Sequence, residues 1–341
     1  MTKTQSTTAL APQAGTLFIS DADVADLHDW PTAVAALSDA YALPITSAMV
    51  PPRVMARGQG FWLRGLCAIS PSGEYMGCKL IAASPKIKRA SYLISLFDQN
   101  SMQLAALVDG NRITDIRTAS TSAVAVDALA VRRPLKVAVL GSSSLARNTL
   151  LALASIRELS SVRVFSPTPA SRERFASEFR AALGIDVTAT ERPEGAVQGA
   201  DVVLCAARSR DESPVLLGQW LEPGMTVISV GSTLPEQREV DEDTMARATL
   251  IVADMVEEVI HDTGDAIAAI KAGVDVAGKT IGLHAVKSGQ HAGRSAETDI
   301  VLYKSVGSAL QDVVTAEMLL RKAMLTRRCA LLSQSIVTIT R

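Results

Sequence analysis

The feature that most constrains this chain is a short apolar strand that ends at a glycine. Lys136-Val-Ala-Val-Leu140 is typical of a buried strand, Gly141 of a tight turn, and Ser142–Ala146 of the start of a helix. In this order, the first helical turn presents free N–H groups and a partial positive charge to a pyrophosphate. The segment therefore predicts the first strand and helix of a dinucleotide-binding fold.

The turn departs from the usual G-x-G-x-x-G/A pattern at one position. Gly141 occupies the first glycine position and Ala146 the third, but a serine stands where the second glycine normally lets the backbone approach phosphate closely. Serine hydroxyls can contact the phosphate instead, so the candidate cofactor residues here are Gly141, Ser142, Ser143, Ser144 and Leu145. Taken alone, the motif is also compatible with an ordinary turn in an α/β protein.

Strands alternate with helical stretches after Arg132-Arg-Pro134, which indicates parallel βαβ units. The predicted strands are Val137–Leu140, Val162–Ser166, Asp201–Cys205, Thr226–Val230 and Leu250–Val252, followed by a strand and a long helix over 300–325. We therefore predict an α/β fold: a Rossmann-type doubly wound parallel sheet over 133–307, and a strand-rich α+β part over 16–132. The chain end is expected to return to the first half, and residues 1–15 to form a flexible tail.

Composition excludes several other classes of protein. The formal net charge is −1, so no global field recruits nucleic acid or an anionic membrane. The four cysteines and four histidines are dispersed, which predicts no metal site and reduced, mostly buried thiols. No apolar run approaches the ~18 residues of a membrane span. We expect a cytoplasmic protein with neither a nucleic-acid nor a membrane partner.

The choice of dinucleotide depends on the residue that ends the second strand of the fold. An acid there would bind the ribose 2′-hydroxyl of NAD. This chain has Ser166-Pro-Thr168 instead, and Arg172 and Arg174 follow on the next helix. Hydroxyls followed by arginines suit a 2′-phosphate, so NADP is favoured over NAD. The alternative is that these arginines form a solvated helix face.

Several motifs occur in an order that resembles the ornithine cyclodeaminase/μ-crystallin family. They are Pro51-Pro-Arg53, Gly77-Cys-Lys79, Arg117-Thr-Ala119, the turn at Gly141, Pro223–Gly231, Asp262-Thr-Gly-Asp265 and Lys304-Ser-Val-Gly307. The resemblance covers about residues 16–325. It implies a homodimeric NAD(P)-dependent oxidoreductase that acts on the α-carbon C–N bond of an amino acid or α-imino acid. It also implies that 16–132 and about 308–341 form one discontinuous substrate-binding and dimerisation domain.

The resemblance assigns roles to individual side chains. Arg53 and Arg117 match arginines that hold the substrate carboxylate, a task that suits the planar guanidinium fork. Lys79 matches the lysine that polarises the substrate and donates a proton, and Asp262 matches an acid near the pocket. The remaining candidate cofactor residues are Thr118, Ser166, Thr168, Arg172, Ala206, Val230, Gly231, Ser232 and Ser305. A helix N-cap is the alternative role for Ser305, and a helix-to-loop cap for Asp262.

One departure bears on the reaction. Thr233 stands where cyclodeaminases carry an aspartate, and threonine cannot act as a carboxylate base. This favours an imine or ketimine reductase or an amino-acid dehydrogenase over an ornithine cyclodeaminase. An opine-type synthase that forms a C–N bond remains open. It would need a second carboxylate receptor, for which Lys86, Lys88 and Arg89 are candidates, although a solvated loop is the favoured interpretation of these three residues. A non-catalytic, μ-crystallin-like ligand-binding protein is a further alternative.

Overall fold

The computed structural model describes residues 15–209 and 211–339, and it contains two β-sheets. The predicted tail, residues 1–15, lies outside the described residues except for Gly15. The strands of the N-terminal part are β1 (Thr16–Ile19), β2 (Val54–Arg57), β3 (Trp62–Ile69), β4 (Tyr75–Ser84), β5 (Arg89–Asp98) and β6 (Leu104–Asp109). Strands β2 to β6 form an antiparallel meander, and β1 pairs in parallel with β6.

The second sheet is entirely parallel. Its strands are β7 (Leu135–Leu140), β8 (Leu159–Phe165), β9 (Asp186–Ala189), β10 (Val202–Cys205), β11 (Thr226–Ser229), β12 (Leu250–Ala253), β13 (Thr280–Gly282) and β14 (Val301–Lys304). Their order is β13-β12-β14-β11-β10-β7-β8-β9. From β7 the chain adds β8 and β9 on one side and then returns to add β10 on the other side, so the strand order switches between β7 and β10. Ligands bind outside the carboxyl ends of strands at such a switch point. The predicted fold class is confirmed, and the five strands predicted after Pro134 are all present.

The helices surround these sheets. They are α1 (Asp21–Leu27), α2 (Trp30–Ala42), α3 (Asn111–Leu129), α4 (Ser144–Ala154), α5 (Pro169–Leu183), α6 (Pro193–Val197), α7 (Glu242–Arg247), α8 (Val256–Asp262), α9 (Gly264–Lys271), α10 (Leu283–Lys287) and α11 (Ala309–Thr326). Short 3₁₀ turns cover Pro85–Ile87, Gly218–Trp220 and Ala277–Lys279. No helix in the described part of the chain combines the length and apolarity needed to cross a membrane.

The end of the chain lies on the first sheet. Helix α11 packs on β3, β4 and β5, and a last strand, β15 (Ala330–Leu332), pairs antiparallel with β1. The first sheet is therefore built from strands within 16–109 and 330–332, and the second from strands within 135–304. The finer division into 16–132 plus 308–341 and 133–307 stays a prediction.

Helix α3 lies between the two sheets, and its small side chains allow it to pack closely against its neighbours. Residues 118–126 are all buried, and every one of them is Thr, Ser, Ala or Val. Small side chains let neighbouring backbones approach closely, and α3 packs against α2, α4 and α11 as well as strands β11 and β14 of the second sheet. The first turns of α3 consequently lie where the two sheets meet.

Alternation along the strands divides the first sheet into two faces. Lys79 and Ile94 are buried beneath α3 and α11, whereas Leu63, Leu80 and Leu93 are exposed on the opposite face.

The thiols differ in their exposure. Cys205 is buried in the second sheet, while Cys67 is exposed on the outer face of the first sheet, directly opposite Cys78. The expectation of mostly buried thiols therefore fails on this face, where side chains of the sheet alternate outward.

Candidate active site

A cavity of about 270 Å³ lies where the two sheets and α3 meet, and we call it the central cavity. Its walls come from strands β3 to β5, from α3, and from the loops after β11 and β14. Of the residues singled out in the sequence, the structure brings together here Arg53, Lys79, Arg117, Thr118, Leu145, Val230, Thr233 and Ser305. Because Leu145 and Val230 are among them, the cavity reaches the Gly141 turn.

Lys79 is the most buried cation of the central cavity. Its side chain is 2% exposed, and its Nζ donates to Thr114 Oγ1 at 2.7 Å and to Asp312 Oδ1 at 2.9 Å. Burial lowers the pKa of Lys79, the Asp312 carboxylate opposes that shift, and nearby Arg117 adds to it. An ammonium with a lowered pKa gives up a proton more readily than an exposed lysine does.

Arg117 is held in place by α11 and by a glycine. Its Nη1 donates to Gln311 Oε1 at 2.9 Å, and its Nε lies 3.4 Å from Asp312 Oδ1. Gly307 has φ +83°, and a Cβ added there would come within 2.7 Å of the Arg117 guanidinium. The glycine in the Lys304–Gly307 motif therefore makes room for the arginine of another motif.

Arg53 lies at the edge of the central cavity and is paired with the carboxylate of Glu258. Its guanidinium pairs with Glu258 and also donates to the carbonyl oxygen of Gly307 at 2.9 Å. The Glu258 side chain is only 7% exposed. The pairing orients the guanidinium and leaves it partly exposed toward the cavity.

Asp254 organises the loop after β14. Its carboxylate accepts hydrogen bonds from the Ser305 hydroxyl at 2.6 Å, from the N–H groups of Val306 and Gly307, and from the Gln311 amide. Ser305 is therefore not the N-cap of α11, a position that Ser308 occupies. The Ser305 side chain is held at the wall of the central cavity by an acid that the sequence analysis missed.

Two groups of candidate site residues lie outside the central cavity. Asp262 is exposed at the end of α8 and does not line the central cavity, because the helix turns its apolar side inward and its last residue outward. Lys86 and Lys88 also lie away from it, in the exposed connection between β4 and β5, and Arg89 is the exposed first residue of β5. This placement agrees with the solvated-loop alternative for the three residues. Arg89 instead lines a second cavity of about 550 Å³ together with Arg57. The connection extends past the end of the sheet, so its cations cannot reach Lys79.

The Gly141 turn has the backbone that a pyrophosphate site requires. Gly141 has φ +118°, and a Cβ there would meet Ala207 Cβ at 2.8 Å. Ser143 caps α4: its hydroxyl accepts from Ala146 N at 3.3 Å and donates to the Ala206 carbonyl at 3.1 Å. That hydroxyl and the Ala146 N–H are therefore already engaged with each other, which leaves the N–H groups of Ser144 and Leu145, at the start of α4, for an anion.

The end of β8 carries no acid, as expected from the sequence. The Ser166 hydroxyl is hydrogen-bonded with that of Ser142 at 3.1 Å, and Arg172 Nη1 donates to the Ser166 carbonyl at 3.2 Å. Thr168 is exposed at the start of α5 without a side-chain capping bond. Hydroxyls and a guanidinium thus surround the point where a Rossmann fold binds the adenosine ribose.

A buried ionic network supports the loops after β10 and β11. Lys304 Nζ lies 2.8 Å from Asp265 and donates to the Ser232 carbonyl at 2.8 Å. Glu239, fully buried, accepts from the N–H of Ala207 at 3.1 Å and of Gly231 at 2.8 Å. The predicted cofactor segments at Ala206 and Val230–Ser232 are therefore held by charges beneath them.

Glu239 predicts a pH dependence of stability. Burial raises its pKa from an ordinary 4.5 to about 7, against the opposing charge of Lys304. The folded protein therefore binds this proton more tightly than the unfolded chain, so stability falls as pH rises from about 4.5 to about 7, by up to about 3 kcal/mol. Glu239→Gln should flatten the curve of melting temperature against pH in this window. The exposed Glu236→Gln should leave its slope unchanged, and equal slopes in all three proteins would contradict the assignment.

Four acids at or beside the site escaped the sequence analysis: Glu239, Asp254, Glu258 and Asp312. Asp312 had a detectable signal, because it lies with Gln311, Thr315 and Glu317 in a mostly apolar stretch that is predicted to form a long helix. The structure buries the first twelve residues of that helix. Polar side chains in such a helix require partners. Asp254 follows β12, Glu258 lies in the first turn of α8 and Glu239 lies in the loop between β11 and α7, and nothing in their spacing distinguishes them from ordinary loop or capping residues.

A doubly wound parallel sheet, a glycine turn at its switch point and an adjoining cationic cavity define the class of Rossmann-type, dinucleotide-dependent enzymes. The chain belongs to the ornithine cyclodeaminase/mu-crystallin family, whose model matches residues 24–326. It is 29% identical to the ketimine reductase mu-crystallin of Mus musculus in a 296-residue alignment that covers 84% of this chain and 90% of that protein.

Solved structures show the same architecture. The Delta(1)-pyrroline-2-carboxylate reductase of Thermococcus litoralis, in complex with NADH and L-proline, superposes with a TM-score of 0.84 at 26% identity. That alignment covers 93% of this chain and 100% of the reductase. An archaeal alanine dehydrogenase dimer with bound NAD has a TM-score of 0.83 at 23% identity, over 95% of this chain and 99% of that one.

Proposed function

We propose that this protein is an NAD(P)-dependent reductase of α-imino acids, which it converts to amino acids. The observation that carries the proposal is the buried Lys79, flanked by Arg53 and Arg117 in a cavity that reaches the Gly141 turn. A proton donor, carboxylate receptors and a dinucleotide site are the three components that imine reduction needs. The family and the reductases among its relatives support the same activity.

The roles of the residues follow from their chemistry. Arg53 and Arg117 hold the α-carboxylate of the substrate, because a guanidinium can bind a carboxylate through two hydrogen bonds. The Gly141 turn and the first turn of α4 would hold a reduced dinucleotide, which would supply the hydride that the α-carbon needs. Lys79 Nζ gives a proton to the imine nitrogen, so that the C=N bond becomes CH–NH. Asp312 keeps Lys79 oriented, and solvent restores its proton.

Thr233 supports reduction rather than cyclodeamination. It lines the central cavity, and its N–H donates to the Gln237 side chain at 2.9 Å. The position expected for a cyclodeaminase aspartate thus presents a hydroxyl and a methyl group, neither of which is a carboxylate base. We therefore expect no conversion of ornithine to proline.

A panel of substrates tests the proposed function. Cyclic imino acids and 2-oxo acids mixed with ammonia are assayed with NADPH and NADH, and ornithine is assayed with the oxidised forms. Consumption of reduced dinucleotide with an imino acid supports the proposal, and proline formation from ornithine at a comparable rate contradicts it. Nicotinamide fluorescence separates the alternatives, since binding without turnover of any substrate would indicate a ligand-binding protein.

We further propose that NADP(H) is the preferred dinucleotide. Support comes from the absence of an acid at the end of β8 and from Arg172, whose guanidinium is held beside Ser166. Arg172→Ala is expected to raise the KM for NADPH about tenfold, the value of one lost charged hydrogen bond, with little change for NADH. Arg174→Ala is the control, because the structure places Arg174 on the exposed side of the same helix, near Glu178 and not beside Ser166. Equal effects on both dinucleotides would contradict the preference.

We propose that two copies of the chain associate through the exposed face of the first sheet. Leu63 is 48% exposed there and Leu80 is 40% exposed, in an apolar patch that also includes Leu93 and Ile69. An exposed patch of this kind marks an interaction surface. Light scattering should give twice the 36.0 kDa mass of one chain, and Leu80→Glu should lower it toward that mass.

A further inference from the structure

The central cavity contains a fourth cation, Arg64, that the proposed reaction does not use. Arg64 lies on β3 opposite Ile81 of β4, and Leu66, two residues further along β3, lies opposite Lys79. Side chains two residues apart on a strand share one face, so Arg64 and Lys79 are diagonal neighbours on the inner face. The Cα atoms of such neighbours are about 7–8 Å apart. Both line the central cavity.

Arg64 differs from the other three cations in having no partner. Lys79 and Arg117 share Asp312, and Arg53 pairs with Glu258. Among residues 15–209 and 211–339, no hydrogen bond or ion pair is formed by the Arg64 guanidinium, and its Nε is shielded from solvent. A buried, charged donor without an acceptor is unfavourable, because it has lost its hydrogen bonds to water without replacement.

The surroundings keep the Arg64 guanidinium in position without neutralising it. The guanidinium carbon lies 5.1 Å from the centre of the Trp62 ring, a cation–π distance. Burial lowers the pKa of Arg64, and the positive charge of Arg53 lowers it further, opposed by Glu258. Glu258, however, is already committed to Arg53. An additional negative charge in the central cavity would satisfy Arg64.

We propose that Arg64 receives a second carboxylate, carried by the side chain of the substrate, and that the preferred substrates are dicarboxylic α-imino acids. This inference rests on the proposed reductase function. With the α-carboxylate at Arg53 and Arg117, the imine nitrogen faces Lys79, and the side chain of the substrate extends along β3 toward Arg64. The second carboxylate receptor sought in Lys86–Arg89 is thus provided by a residue of the cavity wall.

Steady-state kinetics of Arg64→Met, Arg64→Lys and Arg89→Met test the proposal. Ammonia with 2-oxoglutarate provides a dicarboxylic imino acid, and ammonia with pyruvate provides a monocarboxylic one. Arg64→Met should lower the ratio of kcat/KM between the two substrates by about 10- to 100-fold, the value of a charged, two-point hydrogen bond. Arg64→Lys should recover part of this ratio, since lysine keeps the charge but not the planar fork. Arg89→Met should leave the ratio within about twofold of the wild type.

Two outcomes would overturn the assignment. An equal loss of kcat/KM for both substrates would mean that Arg64 holds the α-carboxylate, and no loss of kcat/KM for either substrate would mean that it holds no carboxylate. Calorimetry with succinate and propionate, in the presence of the dinucleotide, keeps the two proposals separate. If the wild type reduces no imino acid, the reductase function fails. In that case, if Arg64→Met binds succinate about tenfold more weakly than the wild type but binds propionate equally, Arg64 is still supported as a carboxylate receptor. Equal binding of succinate by the wild type and Arg64→Met would refute that role.

Discussion

Replacement of Lys79 with methionine is expected to lower kcat for imine reduction by about 10²- to 10⁴-fold, the usual contribution of a positioned proton donor. Methionine fills a similar volume and has no proton to give. Loss of the Lys79 ammonium leaves Arg117 as the partner of Asp312, so the carboxylate does not become unpaired. The dinucleotide should still bind, because Lys79 lies on β4 of the first sheet and makes no contact with the Gly141 turn.

The measurement pairs stopped-flow hydride transfer with a fluorescence titration of NADPH. A dissociation constant within about threefold of the wild type, together with the large loss in kcat, assigns the effect to chemistry. Lys86→Met is the matched control, since Lys86 is exposed and outside the central cavity. A Lys79→Met enzyme that retains a tenth or more of wild-type kcat would remove Lys79 from the proton-donor role.

Replacement of Asp312 with asparagine is expected to destabilise the protein by about 3–5 kcal/mol, the effect of removing one partner from a buried ion pair. Asp312 is 1% exposed and is the carboxylate shared by Lys79 and Arg117. Without it, two cations face each other in a desolvated cavity. The melting temperature of the folded enzyme reports this loss directly.

The same variant should also change the pH profile. Asp312 raises the pKa of Lys79 against the effect of burial, so its neutralisation lowers that pKa further. Lys79 must be protonated to act as an acid, and the alkaline limb of kcat should therefore move to lower pH. Glu317→Gln, a buried acid on the same helix that pairs with Arg321, should affect stability without moving that limb. An unshifted limb in Asp312→Asn would show that the carboxylate does not tune Lys79.

Local pattern was sufficient to predict much of the second sheet. Runs of valine, leucine and isoleucine bounded by polar turns identify β7, β8, β10, β11 and β12. The glycine that directly follows β7 predicts a tight turn in the same way, and Gly141 has φ +118°, a conformation that glycine adopts readily. These are short-range effects, in which each residue and its immediate neighbours decide the conformation.

The role of an individual polar side chain was harder to predict. Ser143 has the residue type of a phosphate ligand, yet its hydroxyl caps α4 and binds the Ala206 carbonyl. Asp262 and Asp265 belong to one motif, but the first is exposed and the second is fully buried beside Lys304. The two residues lie on either side of the junction between α8 and α9. A sequence pattern predicts a helix end only to within one or two residues, and a shift of one residue there changes which side chains face the core.

By itself, the sequence determined that the chain forms a dinucleotide-binding fold, and its ordered motifs indicated the family and the three cations Arg53, Lys79 and Arg117. Only the tertiary structure decided which acids face them. Lys79 and Asp312 are 233 residues apart and meet because α11 packs on β4. The structure also showed that Arg64 faces the same cavity without a partner. Charges act through space at a few ångströms, so their pairing depends on packing between distant segments that no local pattern encodes.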